Sequence, residues 1–395
     1  MRRALILMSD TGGAHRACAE ALKEAFAMEN AGVRADVIDL WADHTPWPVN
    51  RLPRSYSFVV QRAPAFYAWL FAATETPSRL LPLLEACGRW SERSFLRVLR
   101  DCSPDLLISA HPLLQTAPLR IMARQGIRLP FFTVVTDLVG FHPSWFDPAA
   151  TLCFVPSQPA YAEALRRGLR PDQLRDVGMP IRLDFALERP PRHLQRARLG
   201  IASDLPSVML TGGGEGMGRV EEIAHAIAER LGGGGAPPLG QMVIVCGRND
   251  RLRERLSGVN WPAPVCVTGF VSNMVDWMSA CDLVVTKAGP GTIAEAMSLG
   301  LPVILSGHLP GQEAPNVGYV TDNGFGVYEP EPDGIACLVA RWLGPESAAR
   351  EVMGQRARGL ARPGAARGIA DEIGRAMAAL PAPGVREVGV KATGS

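Results

Sequence analysis

The first place in this chain where chemistry can sit is a histidine directly behind a glycine turn. In SDTGGAHRACAEAL, Gly12 and Gly13 permit a tight turn and His15 opens a helical pattern. The positive end of a helix disfavours the imidazolium, so a histidine there stays neutral near pH 7 and available as a base. On this feature alone, His15 could equally cap or pack its helix. The dinucleotide fingerprint G-x-G-x-x-G is absent from the turn. Further along are two glycine-rich turns, TGGGEGMG at 211–218 and KAGPGTIAEA at 287–296. Glycines in such turns let backbone N–H groups approach an anion at a helix N-terminus. Neither turn ends as a Walker loop does. Any tight strand-to-helix connection favours glycine, but two of them at the carboxyl edge of one sheet point to a diphosphate. Glu295, four residues after Gly291, can reach vicinal ribose hydroxyls or simply stand as a solvated charge near its helix start. Arg182, in GMPIR, falls where the first half of the chain ends; a phosphate contact and a surface ion pair are both open to it.

Short apolar runs alternate with helical patterns in both halves of the sequence. ALILM precedes a helix over 15–29, VRADVIDL follows it, PDLLISA precedes 114–124, and PFFTVVT and TLCFVPS precede 159–167. After residue 200, PSVMLTGG precedes 217–231, QMVIVCG precedes 250–256, PVCVTGF follows, DLVVTKAG precedes 292–299, and LPVILSG closes the series. This rhythm predicts parallel βα units. The fold class is therefore α/β, with two Rossmann-like domains in tandem at 1–185 and 186–380. The proline- and charge-rich stretch 183–198 reads as their connection, and the last helix is free to pack back on the first domain. Glycines 232 to 235 read as a loop inside the second domain. Residues 381–395 lack periodicity and read as a disordered tail.

With 395 residues, the chain is too long for one small binding module. It is 47% hydrophobic and 20% charged, too apolar for a disordered chain. The net charge is +2, so no global field draws it onto nucleic acid. Lys23, Lys287 and Lys391 are the only lysines among 41 basic residues, a bias that suggests a GC-rich bacterial source. The eight cysteines are scattered, without a CxxC pair or a histidine at ligand spacing. That pattern indicates neither a disulfide framework nor a zinc site and fits a reducing cytoplasm. The polar residues Ser9, Asp10 and Thr11 interrupt the N-terminal apolar stretch before a secretory signal is complete. No uninterrupted apolar run approaches the ~18 residues of a spanning helix.

Taken in order, the glycine turn with its histidine, GMPIR, GGGEGMG, GPGTIAEA and PGQE resemble a group of GT-B glycosyltransferases. That group contains monogalactosyldiacylglycerol (MGDG) synthases, bacterial diacylglycerol glucosyltransferases and the lipid II-forming N-acetylglucosaminyltransferase. The likeness to MGDG synthases is strongest. It runs from about residue 4 to residue 380 through SAHPLLQ, VVTDLVGFHPSWF, TLCFVPS, VCGRN, CDLVVTKAGPGTIAEAMSLGLPVIL and PGQEAPNVGYVTDNG. The resemblance implies a GT-B fold, two Rossmann-like domains facing across a cleft, the first holding a lipid acceptor and the second a UDP-sugar.

By position, the resemblance makes His15 the catalytic base. It makes Gly214, Glu215 and Gly216, with Gly289, Pro290, Gly291 and Thr292, the diphosphate cradle, and puts Arg182 on the phosphates. Phe270 is implied at the uracil, Glu295 at the ribose, and Gln312 and Glu313 at the sugar hydroxyls. Gly13, Asp137 and His142 are implied on the acceptor side. Ala14 stands where a third glycine is usual, and the transit segment of the plant enzymes is missing, in keeping with a bacterial protein.

The implied reaction is inverting: His15 takes the proton of the sn-3 hydroxyl of diacylglycerol as that oxygen attacks the anomeric carbon opposite the UDP. The hexose is expected to be galactose, with a UDP-glucose-dependent diacylglycerol glucosyltransferase as the alternative. No Asp-x-Asp motif is present, so no metal or other cofactor is expected, the UDP-sugar being a substrate. A non-catalytic UDP-sugar-binding or lipid-binding protein would need no His15. An epimerase would need a Tyr-x-x-x-Lys pair, for which three lysines leave almost no candidate.

Residues 51–100 carry eight arginines against three acidic residues, and eight aromatics. Aromatics at helical spacing commonly pack in a core. With a lipid acceptor implied, however, Arg54, Arg62, Trp69 and Phe71 are the expected contacts with an anionic membrane surface. The expected location is cytoplasmic, peripheral on the inner face of the cell membrane.

Overall fold

The computed structural model describes residues 1–11, 13–28, 32–47, 49–51, 53, 62–74, 77–232 and 237–379. The chain divides into two compact units: Met1–Leu183 joined by the chain from Gly364 onward, and Asp184–Pro363. Each is built on a six-stranded, wholly parallel sheet.

In the first unit the strands are β1 (Arg2–Met8), β2 (Val33–Asp39), β3 (Leu106–Ser109), β4 (Phe131–Val134), β5 (Leu152–Val155) and β6 (Leu174–Asp176), in the order β2-β1-β3-β4-β5-β6. β1 shows why such runs become strands. Ala4, Ile6 and Met8 enter one apolar core while Leu5 and Leu7 enter another. Alternation with both faces buried is what a parallel sheet covered by helices imposes.

The second unit holds β7 (Ser207–Thr211), β8 (Gln241–Val245), β9 (Val265–Thr268), β10 (Leu283–Lys287), β11 (Val303–Gly307) and β12 (Gly326–Tyr328), in the order β12-β11-β10-β7-β8-β9. Strand order reverses between β1 and β3 in one sheet and between β7 and β10 in the other. Loops leaving the carboxyl ends of such a pair run to opposite faces, which opens a crevice at that point. All ten strands expected from the sequence are present. β6 and β12, three residues each at sheet edges, are too short to show an alternation and were not foreseen.

The stretch 183–198 is more than a connection. The helix Arg192–Arg198 belongs to the second unit, where buried Arg196 donates to the Ala280 carbonyl at 2.8 Å and to the Asp282 carboxylate at 2.6 Å. The same Asp282 oxygen accepts the Ser207 N–H at 2.8 Å, so a paired, hydrogen-bonded buried charge pins the start of β7. The last helix, Ala365–Ala378, buries Ala366, Ile369, Ala370, Ile373 and Met377 in the same core as Ala4, Ile6 and Met8, the spacing of one helical stripe. Its Glu372 accepts from Arg175 of β6 at 2.6 Å. This helix therefore packs back on the first unit, the alternative the sequence leaves open, and the second unit ends at Pro363 and not at residue 380. The tail 381–395 and positions 233–236 lie outside the described residues. No helix among the described residues is long and apolar enough to cross a membrane.

Candidate active site

In the first unit the crevice between β1 and β3 carries the histidine. β1 ends at Met8 and the helix Gly13–Met28 starts shortly after, so His15 falls in its first turn. The chain leaving β3 delivers His111, and the chain leaving β4 delivers Thr136 and Asp137. His15 is 4% exposed. Its Nδ1 shares a 2.8 Å hydrogen bond with the Thr136 hydroxyl, and its ring lies 4.6 Å from that of His111 and 6.2 Å from that of Trp145. His111 Nε2 shares a 2.6 Å hydrogen bond with the Thr11 hydroxyl, and its Nδ1 accepts the Leu113 N–H at 3.3 Å.

Burial lowers the pKa of His15, outweighing the Asp137 carboxylate, the Ala110 carbonyl and Asp10, which raise it. Burial, with His15 and His142 close by, drives His111 well below the usual histidine range. His15 is thus neutral at pH 7, as the sequence suggests, but the leading cause is the loss of water around the ring.

Asp137 is also buried and accepts the Trp145 indole N–H at 2.6 Å. His142, expected on the acceptor side, is held by its neighbours. Its Nδ1 meets the Ser144 hydroxyl at 2.7 Å, its Nε2 meets the Thr74 hydroxyl at 3.1 Å, and its ring packs edge-on against Phe71 at 5.4 Å. Burial, with Arg167 adding to it, lowers its pKa to about 4. With both nitrogens occupied, His142 anchors the helix Pro64–Thr74 to the unit. Gly13 opens the helix of His15 in an exposed position where an added Cβ would meet nothing within 4 Å; Gly12 lies outside the described residues.

In the second unit, β7 and β10 pair from Val208 with Leu283 to Thr211 with Thr286, which sets the turns 211–218 and 287–291 side by side. Close packing requires glycine in the first turn. A Cβ on Gly212 would stand 2.2 Å from the Met217 carbonyl oxygen, and one on Gly216, at φ +56°, 2.2 Å from that of Cys246. The Gly216 N–H donates to the Gly213 carbonyl at 3.0 Å, so Gly216 shapes the turn expected to cradle the diphosphate. Glu215 holds Arg248 at 3.0 Å, and the Arg248 guanidinium lies 4.7 Å from the ring centroid of exposed Phe270.

The helix Pro290–Leu299 starts from Gly289 without a side-chain cap. Helical geometry leaves the N–H groups of Gly291 and Thr292 without an intrahelical partner, at the positive end of the dipole. Glu295 lies further into this helix, partly buried, and Gln312 is partly buried on its own loop. Glu313 is buried, forms an ion pair with Lys287, and accepts the Leu309 N–H at 2.9 Å. Each of its oxygens thus has a partner within the chain. Lys287 is not among the expected residues; the available signal is a lysine inside a glycine turn of a chain with only three lysines. Arg182 belongs to the first unit, one residue before its boundary. Among the described residues, no group of three or more His, Cys, Asp or Glu side chains is placed to hold a metal ion.

Of the expected membrane residues, Arg62 and Trp69 are exposed, and Arg54 lies outside the described residues. Phe71 is partly buried, its ring against those of His142 and Tyr67. The exposed partner of Trp69 is Phe66, stacked on it at 5.9 Å.

Two parallel, doubly wound units, with a buried neutral histidine in one and adjoining glycine turns in the other, define a GT-B glycosyltransferase. Among solved structures with this fold, MurG of Acinetobacter baumannii gives a TM-score of 0.59 at 15% identity, covering 95% of this chain and 100% of that one. The calicheamicin glycosyltransferase CalG4 gives 0.60 at 17% identity, covering 96% and 100%. The chain belongs to the monogalactosyldiacylglycerol synthase family. The model of that family, described as Monogalactosyldiacylglycerol (MGDG) synthase, matches residues 15–181, and the glycosyltransferase family 28 C-terminal domain matches 207–314. A probable chloroplastic MGDG synthase of Glycine max is 45% identical over 370 residues, 92% of this chain and 69% of that protein. The chloroplastic MGDG synthase of Spinacia oleracea is 45% identical, covering 92% and 70%. These relatives are chloroplastic plant proteins, against the bacterial source expected from the arginine bias.

Proposed function

We propose that this protein transfers galactose from UDP-galactose to the sn-3 hydroxyl of 1,2-diacylglycerol, with inversion, to give a β-galactosyldiacylglycerol. The observation that carries the reading is His15: buried, neutral at pH 7, and oriented through Nδ1 by Thr136. Its Nε2 is then the nitrogen that meets the acceptor hydroxyl. Membership of the MGDG synthase family supports the choice of sugar and lipid.

Chemically, Nε2 takes the hydroxyl proton as the oxygen bonds to the anomeric carbon. The bond from that carbon to the diphosphate oxygen breaks on the opposite face, and UDP leaves. The charge growing on the diphosphate is met by the N–H groups of Gly291 and Thr292, by the helix dipole behind them, and by Arg182; preorganised donors of this kind stabilise the transition state better than water does. The reading calls for no metal. Phe270 takes the uracil, Glu295 the ribose, Gln312 and Glu313 the sugar hydroxyls, and Asp137 and Gly13 the acceptor side. Exposed Trp69 and Phe66, with Arg62, meet the anionic bilayer from which the acceptor is drawn.

The test is to incubate the protein with diacylglycerol vesicles and UDP-galactose or UDP-glucose and identify the glycolipid. β-Galactosyldiacylglycerol is expected. A glucosyl product formed in preference would reassign the donor, and no glycolipid from either would overturn the reading.

A further inference from the structure

We propose that Lys287 contacts the diphosphate of the donor, and that it exchanges partners when the donor binds, leaving Glu313 for the phosphates. This rests on the UDP-sugar reading above.

Lys287 is the last residue of β10, at the point where the strand order of the second sheet reverses. A Cβ built on Gly213 would stand 3.3 Å from its Cε, and one built on Gly289 3.0 Å from its Nζ. The stem therefore passes beside the first glycine turn and the ammonium ends beside the second. The missing side chains at Gly213 and Gly289 leave the room it occupies.

Electrostatically, this is a poor place for a lone cation. The ammonium adjoins the N-terminal end of the helix Pro290–Leu299, whose dipole repels positive charge. The Lys287 side chain is only 20% exposed, so water compensates little. The chain supplies an anion: Glu313, 5% exposed, is held by the Leu309 N–H and pairs with Lys287. This carboxylate does what the phosphates of a bound donor would do, balancing the ammonium at a helix end that has no side-chain cap. An arriving diphosphate carries more charge and has the N–H groups of Gly291 and Thr292 to itself, so it competes for the ammonium. A flexible four-carbon stem can swing its point charge between neighbouring anions without rebuilding a fixed fork of hydrogen bonds. Release of Lys287 frees a Glu313 oxygen for a sugar hydroxyl. The sugar contact thereby becomes available after the phosphates are seated.

The experiment is calorimetric titration of uridine, UMP and UDP into the full chain, its Lys287→Ala and Lys287→Gln variants, and Glu313→Gln, with thermal melts of each. Loss of a charge-assisted hydrogen bond should lower UDP affinity about tenfold in both Lys287 variants and leave uridine unchanged. Lys287→Gln keeps most of the stem, so it carries the same expectation should Lys287→Ala fail to fold. Glu313→Gln should bind UDP about threefold more tightly, because the competing anion is gone, and yet transfer galactose more slowly. A UDP-to-uridine affinity ratio untouched in the Lys287 variants removes the contact. UDP binding weakened or unchanged in Glu313→Gln removes the exchange. If the unaltered protein binds no UDP, the donor reading itself fails; UDP bound tightly but indifferently to position 287 overturns this inference alone.

Discussion

The Nδ1 of His15 and the hydroxyl of Thr136 lie 2.8 Å apart although 121 residues separate them in the chain. One βα turn supplies the base and another sets the orientation of its ring. The relationship follows from the sheet order, because β1, β3 and β4 are consecutive neighbours and their carboxyl ends converge.

His15→Ala should cut the turnover number ~10²- to 10⁴-fold, the usual contribution of a general base. UDP affinity should be nearly unaltered, since the base acts on the acceptor. Thr136→Val keeps the shape of the side chain and removes its hydroxyl. It should lower kcat roughly tenfold through misorientation while leaving the KM for UDP-galactose alone. A turnover number unchanged in His15→Ala would strip the residue of its role.

Acid should act on both rate and stability. His15 must be neutral to accept a proton, and its pKa is lowered from 6.5, so the acid limb of the kcat profile should lie below pH 6.5. For stability, a buried histidine with a lowered pKa binds its proton more weakly folded than unfolded, so stability is full above pH 6.5 and is lost as pH falls through the folded value. For His142 that window runs from 6.5 to about 4, worth about 3 kcal/mol once complete. His142→Asn should therefore make urea-derived stability fall less steeply between pH 6.5 and 4. An equal slope in both proteins would mean that other groups carry the acid sensitivity.

The fold was legible because the central strands of both sheets are buried on both faces, which writes them as apolar runs such as ALILM or VMLT. The edge strands β6 and β12 left no such mark. His15 and the glycine turns could be read because a strand-to-helix turn puts its chemistry at a fixed offset from a recognisable strand. The engagement of His142 with Thr74, and of Glu313 with Lys287, could not be read. Both are pairings between separate loops, and residue type alone does not say whether a polar group faces a ligand or a neighbour. The position of the last helix was open for the same reason: its apolar stripe fits any sheet, and packing decides which.

Glu295→Gln should chiefly raise the KM for UDP-galactose, because a ribose contact is made before the transition state as well as in it. Calorimetry with UDP gives the direct reading. Unaltered UDP affinity would show that Glu295 is not a ribose ligand.

The helix Pro64–Thr74, PAFYAWLFAAT, has no charged residue, and its two sides should respond differently to substitution. Phe66 and Trp69 are 52% and 64% exposed, so replacing both by Ser, together with Arg62→Gln, removes little buried surface and should leave the melting temperature nearly unchanged. Vesicle binding should fall, with the lost basic side chain worth about 1 kcal/mol near an anionic surface. Binding of the unaltered protein should be stronger on anionic than on neutral vesicles and should weaken with salt, because surface charges are screened. Phe71→Ser should do the opposite, since its ring packs on His142 and Tyr67: a lower melting temperature, with the folded fraction still bound to vesicles. If the triple variant melts many degrees lower while its folded fraction keeps full vesicle affinity, these rings serve packing and the membrane face lies elsewhere on the chain.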